Sequence, residues 1–348
     1  MDDFTRQEDG KADPGAALRR LVQKSVGRRL PSERVLASAL NISRPSLRAL
    51  LAQLQREGLV EARPKSGTYV LDDRESRLKR IVLLVDEDLK LNDDPFILTI
   101  VDRLQREIQS IGARCIVERC ASGERALNLE DGVLTLGMAA RSLIDARRSE
   151  DPPMVGLFLD ESARPNRRAS IFQLDDRDAG RTAAERLIGR GCRNIVFAGR
   201  RDLPVSRDRL AGAGDAAAIA GVGLHFVSAH LNCAAGIGVG RDLELLDELD
   251  SAGLIATNDW LALGLRMGMR DRKSAVAREI PIVSFDGLSV VQDPFLAIES
   301  LAVPIDDIAR DAIEELRRLH RSPAASGRTV RYTLQLGGGQ LVDKRQQS

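Results

Sequence analysis

From Arg80 onward, short runs of branched apolar residues alternate with amphipathic segments, and this alternation restricts the fold more than any other feature. "RIVLLV" precedes a helical pattern over 95–111, followed by "RCIVERC" and "GVLTLG". A helix at 138–149 leads to "MVGLFLD" and "SIFQLD", then helix 176–190, "NIVFAG", helix 206–220 and "LHFVSA". Helix 239–250, "GLIATN", helix 259–270, "IPIVSFD", the helix "PIDDIARDAIEELRRLH" and a final strand region at 329–343 complete the series. Apolar strands separated by amphipathic helices mean parallel sheets covered on both faces. About a dozen strands favour two sheets over one.

In such folds ligands bind beyond the carboxyl ends of the strands. Those ends are polar here: Asp160, Asp175 and Asp176, Asn258 and Asp259, and Asp286. One acidic strand end is commonly a helix cap. A set of them recurring at the same edge favours a polar ligand.

The N-terminal part differs. Net charge is only +1 overall, yet residues 16–71 hold 11 Lys/Arg against 3 Asp/Glu, so a basic module precedes an acidic body. Residues 1–15 read as a polar, disordered tail whose end carries a helix start, Asp13 as cap and Pro14 at the first helical position, with Leu18, Leu21 and Val22 on the buried stripe. Ser32 caps a second helix with Val35, Leu36, Ala39 and Leu40 as its apolar face. Asn41 stands where the chain must turn, in the left-handed conformation that Asn tolerates. In "SRPSLRALLAQL", Leu47, Leu50, Leu51 and Leu54 recur at helical spacing, and Ser43 is placed to cap the Ser46 amide, since Pro45 has no N–H. Arg44 and Arg48 lie one turn apart on the remaining face. Two short strands around a Pro64–Gly67 turn follow, completing a winged helix-turn-helix over 16–71. Residues 72–79 read as a charged linker to an effector domain over 80–343.

"LPSERVLA", "SRPSLRALLAQLQREGLV" and "SGTYV" resemble the DNA-binding domain of GntR-type regulators, departing from it at Asn41, where a glycine is usual, and at Pro64–Lys65 in the wing. The resemblance implies that Arg34, Arg44 and Arg48 contact phosphates or guanine edges, that Ser43 and Ser46 contact phosphates, and that Lys65 and Gly67 lie at the wing. The chemistry agrees: arginine forks pair with guanine O6/N7, and helix starts favour phosphate.

"FLDESA", "DDRDAGRTAAERLIGRGCRNIVFAG", "SRDRLAGAGDAA", "TNDWLALGL" and "PIVSFDG" resemble the effector domain of LacI-type repressors. That resemblance implies two α/β subdomains of periplasmic-binding-protein type, joined by a hinge crossed near 172–175, 300–304 and 332–335. It also implies a cleft lined by Asp160, Phe172, Arg209, Asn258 and Asp286. Asp and Asn suit hydroxyls, Arg209 supplies a fork of donors and Phe172 an apolar face. Trp260 either replaces the stacking tryptophan that "HLNCAAGIG" lacks or packs in the first turn of its helix. A structural alternative for Arg209 is pairing with Asp208 or Asp215, and for Asp286 capping of a turn. Only ten residues separate Cys120 from Asp131, where this family places a full helix.

The two resemblances together describe arabinose-repressor-like regulators. They imply a homodimer on a palindromic operator in double-stranded DNA, more a repressor than an activator, modulated by a small polar effector such as a carbohydrate. Neither a cofactor nor a metal is expected, because Cys115, Cys120, Cys192 and Cys233 have no ligand spacing with His225, His230 or His320. With no signal-peptide pattern or membrane-length apolar run, the chain is expected to be cytoplasmic. Three rivals are a constitutive regulator whose sensor has lost ligand control, a transport binding protein, and an enzyme fused to a DNA reader. The transport protein would need a signal peptide and no DNA module. A lysine-bound cofactor enzyme is disfavoured because only Lys273 and Lys344 follow Lys90.

Overall fold

The computed structural model describes residues 13–25, 28–56, 59–63, 66–70, 78–89, 94–121, 131–137, 140–148, 150–272, 280–322 and 324–336. The tail at 1–12, Lys65, most of the linker (71–77), the shortened segment 122–130 and everything beyond 336 lie outside them. The chain divides into two compact units, Met1–Leu78 with Arg317–Ala325, and Lys79–Leu316 with Ser326–Ser348.

In the first unit, α1 (Pro14–Lys24), α2 (Glu33–Ala39) and α3 (Arg44–Arg56) precede the antiparallel strands β1 (Val60–Arg63) and β2 (Gly67–Val70). The caps stand where the residues place them. Asp13 accepts from the Gly15 and Ala16 amides, Ser32 Oγ from Val35 N, and Ser43 Oγ from Ser46 N at 3.2 Å. Asn41 takes a φ of 50°. Leu18, Val22, Leu47, Leu51 and Leu54 form one core with Leu36, Val60 and Val70. The face of α2 is a correction: Val35 is 50% exposed and Ala39 is exposed, while Leu36 and Ala37 are buried. A seven-residue helix has too few turns for spacing alone to fix which face is buried. Residues 28–30 also run alongside β2, with Leu30 N bonded to Thr68 O and Val70 N to Arg28 O.

The second unit holds two six-stranded sheets. The first has the order β13-β7-β6-β5-β3-β4, all parallel: β3 (Arg80–Asp86), β4 (Arg114–Cys120), β5 (Gly132–Leu136), β6 (Met154–Leu157), β7 (Ala169–Leu174) and β13 (Thr329–Tyr332). The second has the order β14-β12-β11-β10-β8-β9: β8 (Asn194–Gly199), β9 (Gly223–Ser228), β10 (Ala252–Ala256), β11 (Ile282–Asp286), β12 (Ile298–Ala302) and β14 (Gln335–Leu336). Among the described strands of this second sheet only β14 runs antiparallel. Helices α4 (Pro95–Ser110) and α5 (Ala140–Asp145) belong to the first subdomain, as does α11 (Ile305–Arg321). The second subdomain has α6 (Asp176–Gly189), α7 (Pro204–Ala220), α8 (Cys233–Asp242), α9 (Leu245–Glu248) and α10 (Asp259–Arg270). The chain changes sheet three times, after β7, after β12 and between β13 and β14, close to the expected hinge positions.

Two elements differ from expectation. The helix expected over 239–250 is instead α8 and the short α9. Glycines argue against "CAAGIGVGRD" as a helix, but here they have a tertiary use. A Cβ on Gly236 would lie 2.5 Å from Leu261 O, and one on Gly264 2.1 Å from Cys233 O, so α8 and α10 meet backbone to backbone. Strand β12 was not anticipated because "IESLA" is only half buried and lacks a continuous apolar run. Among the described residues no helix is long and apolar enough to cross a membrane.

Candidate functional site

Two groups of residues carry chemistry, one in each unit. On the first unit Arg34, Ser43, Arg44, Ser46 and Arg48 are all exposed, the last four at or within the first turns of α3. Ser43 Oγ and Ser46 Oγ lie 2.8 Å apart, and Arg48 Nε donates to Glu33 Oε2 at 2.8 Å. With 68% and 41% of those side chains exposed, the pair is worth no more than about 1 kcal/mol, so Arg48 is readily exchanged onto another anion. Gly67, at the wing, has a φ of 105°, and a Cβ there would come within 2.7 Å of Arg29 Nε. Arg29 therefore lies beside the wing, a candidate contact that the sequence did not single out, because its bridge to Tyr69 forms only when the chain folds back.

In the second unit, glycines again decide the geometry. A Cβ on Gly180 would sit 1.9 Å from Arg209 O, and one on Gly212 1.8 Å from Arg177 O. This approach of α6 to α7 brings Arg209 onto Asp176, Nε to Oδ1 at 2.8 Å. Arg209 NH1 also donates to Thr257 O at 2.6 Å, and the guanidinium lies 4.3 Å from the centroid of the Phe285 ring. Arg209 is only 2% exposed. Its partner is neither Asp208 nor Asp215, since Asp215 pairs with Arg177. Burial pushes the Asp176 carboxyl up, and the Arg209 charge opposes that.

At the ends of β10 and β11 the polar groups converge. Asn258 is the cap of α10, its Oδ1 accepting from Leu261 N at 2.9 Å and its Nδ2 donating to Leu231 O. Asp259, fully buried, accepts from Ser300 Oγ and Leu288 N at 2.7 Å each, and from Ser284 Oγ. Asp286 is 7% exposed with a φ of 111°. A non-glycine residue held there costs on the order of 1–3 kcal/mol, which is typical of binding sites. Burial raises the Asp286 carboxyl well above its ordinary range; the Asp259 charge adds to this, Arg209 opposes it, and Asp94 adds again. Asp94 caps α4 in the other subdomain, accepting from Phe96 N at 3.0 Å. It was not among the expected residues, because only subdomain apposition brings it near Asp286.

The remaining expected residues are placed differently. Asp160 is held by residues of its own subdomain: Ser162 N at 3.0 Å, the Ser162 hydroxyl and Arg141. Burial works against its ionisation, but the Ser162 bonds and the Arg141 charge more than offset this and lower its pKa. Phe172 is 1% exposed, its ring 5.6 Å from that of Tyr332, so it packs within the subdomain and offers little open face. Trp260 is half-buried in the first turn of α10.

Asp259 yields a pH prediction. Burial moves its pKa from 3.8 to about 6. In that interval the folded chain holds a proton that the unfolded chain has released. The group therefore favours folding below the interval, and this contribution is lost as pH rises through it. Melting curves of the protein and its Asp259→Asn variant should diverge between pH 3.8 and about 6, the variant gaining relative to the parent as pH rises. Parallel curves would contradict the assignment.

Comparison with known proteins bears on the two units as folds. Residues 16–70 match the model for bacterial regulatory proteins of the gntR family, and residues 184–338 that for a periplasmic binding protein-like domain. The HTH-type transcriptional regulator AscG of Escherichia coli is 28% identical over 180 residues, 50% of this chain and 51% of AscG. The chain thus spans about half the length of that relative. A LacI family regulator from Enterococcus faecium with bound ribose superposes with a TM-score of 0.62 at 18% identity, over 74% of this chain and 96% of that one. The lac repressor dimer bound to operator and the anti-inducer ONPF gives 0.60 at 17% identity, over 75% and 92%. The chain therefore joins an N-terminal segment that matches the gntR family model to a periplasmic binding protein-like α/β domain, and that domain shares its fold with these solved regulators.

Proposed function

We propose that the protein is a ligand-responsive transcription regulator, a repressor that binds a palindromic operator as a homodimer and responds to a small polar effector such as a sugar. The observation that carries this reading is the pairing, in one chain, of a helix-turn-helix presenting exposed Arg34, Arg44 and Arg48 with a domain whose strand ends gather Arg209, Asn258, Asp259 and Asp286. The relatives are regulators by name, and two of their structures hold a sugar or an anti-inducer. No catalytic role is assigned to any residue. The domains are residues 16–71 as reader and 80–343 as sensor, with Lys65 and Gly67 as wing contacts and Asp160 and Trp260 as further ligand contacts. Effector binding biases the dimer between states of different operator affinity, and about 1–3 kcal/mol of preference suffices.

A selected operator duplex, titrated by gel shift at fixed salt, tests the reader. Arg44→Ala should weaken binding by about 1–3 kcal/mol with the melting temperature unchanged, because the side chain is exposed. Unaltered affinity would remove α3 from the groove. A thermal-shift screen against monosaccharides tests the sensor: a ligand at about 100 times its Kd stabilises by about 2.7 kcal/mol. Operator binding with no stabilising sugar would favour the constitutive reading.

A further inference from the structure

Tyr332 lies at two chain crossings of the α/β unit and bonds the helix that follows the remaining one. It is the last residue of β13 and 8% exposed, and the third crossing, to β14, follows it directly. Its carbonyl accepts from the amide of Asp175 at 2.8 Å, and Asp175 is the cap residue of α6 at the first crossing. Its hydroxyl donates to Asp311 Oδ2 at 2.9 Å on α11, the helix that begins after the second crossing. Its ring packs on Phe172, 5.6 Å between centroids. One turn further along α11, the buried Glu315 accepts from Ser170 Oγ at 2.6 Å on β7 and from Arg328 Nε at 3.0 Å just before β13. Two carboxylates one turn apart on one helix thus tie down the strand that carries Tyr332.

We infer that Tyr332 is a positioning residue of the hinge at the strand-end cleft: through its hydroxyl on Asp311 it holds the crossings in register and keeps the Phe172 ring packed against its own. The inference rests on the reading of that cleft as a ligand site. Without the hydroxyl bond, β13 keeps its ladder to β7 and the Glu315–Arg328 tie at its start, but its end, next to the crossings, loses its tie to α11. The crossings can then open independently of the sheets they join.

Hydrogen exchange on the full chain tests this without a ligand. Tyr332→Phe keeps the ring and removes the donor. It should speed exchange about ten-fold or more at the amides of 174–176, 302, 303, 305 and 333–336, leaving β6 and β8 unchanged. Asp311→Ala should do the same, and Asp311→Asn, which retains an acceptor oxygen, should restore protection. Unchanged exchange at the crossings, acceleration spread through both sheets, or no rescue by Asn would overturn the inference. A second arm adds D-ribose or D-glucose at millimolar concentration. Protection of the crossings in the parent that is weakened in Tyr332→Phe links the hinge to the cleft, and equal protection in both refutes that link. If neither sugar protects the parent while the ligand-free pattern holds, it is the sugar-cleft reading that fails and the hinge role stands.

Discussion

Gly212→Val unfolds the second α/β subdomain at temperatures where the parent protein is intact. The valine Cβ would lie 1.8 Å from the Arg177 carbonyl oxygen, 2.8 Å from its carbon and 2.9 Å from Arg181 N. Those atoms belong to a helix backbone and cannot rotate away, so α6 and α7 must separate. Separation loosens the packing around the buried alanines of the two helices, Ala179, Ala183, Ala184, Ala213, Ala216 and Ala217. Overpacking against side chains typically costs about 1–3 kcal/mol, and a backbone clash belongs at or above the top of that range. The α3 module should melt as before, which differential calorimetry of the variant resolves. Gly214→Val is the control, since a Cβ there meets only Leu224 Cδ2 at 3.6 Å. Equal melting of the two variants would mean that the helices are not held at this distance.

Arg209→Ala should be the second severe change, and its severity separates architecture from ligand recognition. Removing the guanidinium strips Asp176 of its partner, leaves Thr257 O without that donor and uncovers the Phe285 ring. Breaking a buried ion pair from one side costs about 3–5 kcal/mol, on the order of 10 °C in melting temperature for a domain of this size. Asp286→Asn should behave in the opposite way. Asn accepts a positive φ, and it removes a carboxyl that burial and the neighbouring Asp259 already disfavour as an anion. Its melting temperature at neutral pH should match or exceed the parent's while the effector response is lost. If instead Arg209→Ala melts normally and Asp286→Asn keeps its response, neither residue has the role assigned here.

Local rules located most of the elements because their signals are local. A cap acts within three residues, as Asp13, Ser32 and Ser43 do, and Asn41 adopts the left-handed turn from its own side-chain chemistry. The strand runs of the α/β unit were legible because a strand buried on both faces is apolar throughout, as β5, β6, β7, β10 and β11 are. Residues that failed local rules failed for tertiary reasons. Gly236 and Gly264 weaken their helices in isolation and are needed only because the two helices touch. Val35 and Ala37 exchange places because the docking of a two-turn helix is set by its neighbours.

The candidate sites divide the same way. Strand-end position singled out Asn258 and Asp286, helix spacing placed Arg44 and Arg48 on one exposed face, and Arg209 entered through the family resemblance. Tertiary structure alone decided what those groups meet: Asp176 for Arg209, Glu33 for Arg48, Leu231 O for Asn258, Asp94 near Asp286, and Tyr332 over Phe172. The sequence by itself determined which elements form and which edge of each sheet is polar, since periodicity and capping act over one or two turns. The partners of the buried charges were settled by helix contacts at Gly180 and Gly212 and by the apposition of two subdomains. Such contacts join residues far apart in the chain, and no local pattern encodes which distant carboxylate a buried arginine will find.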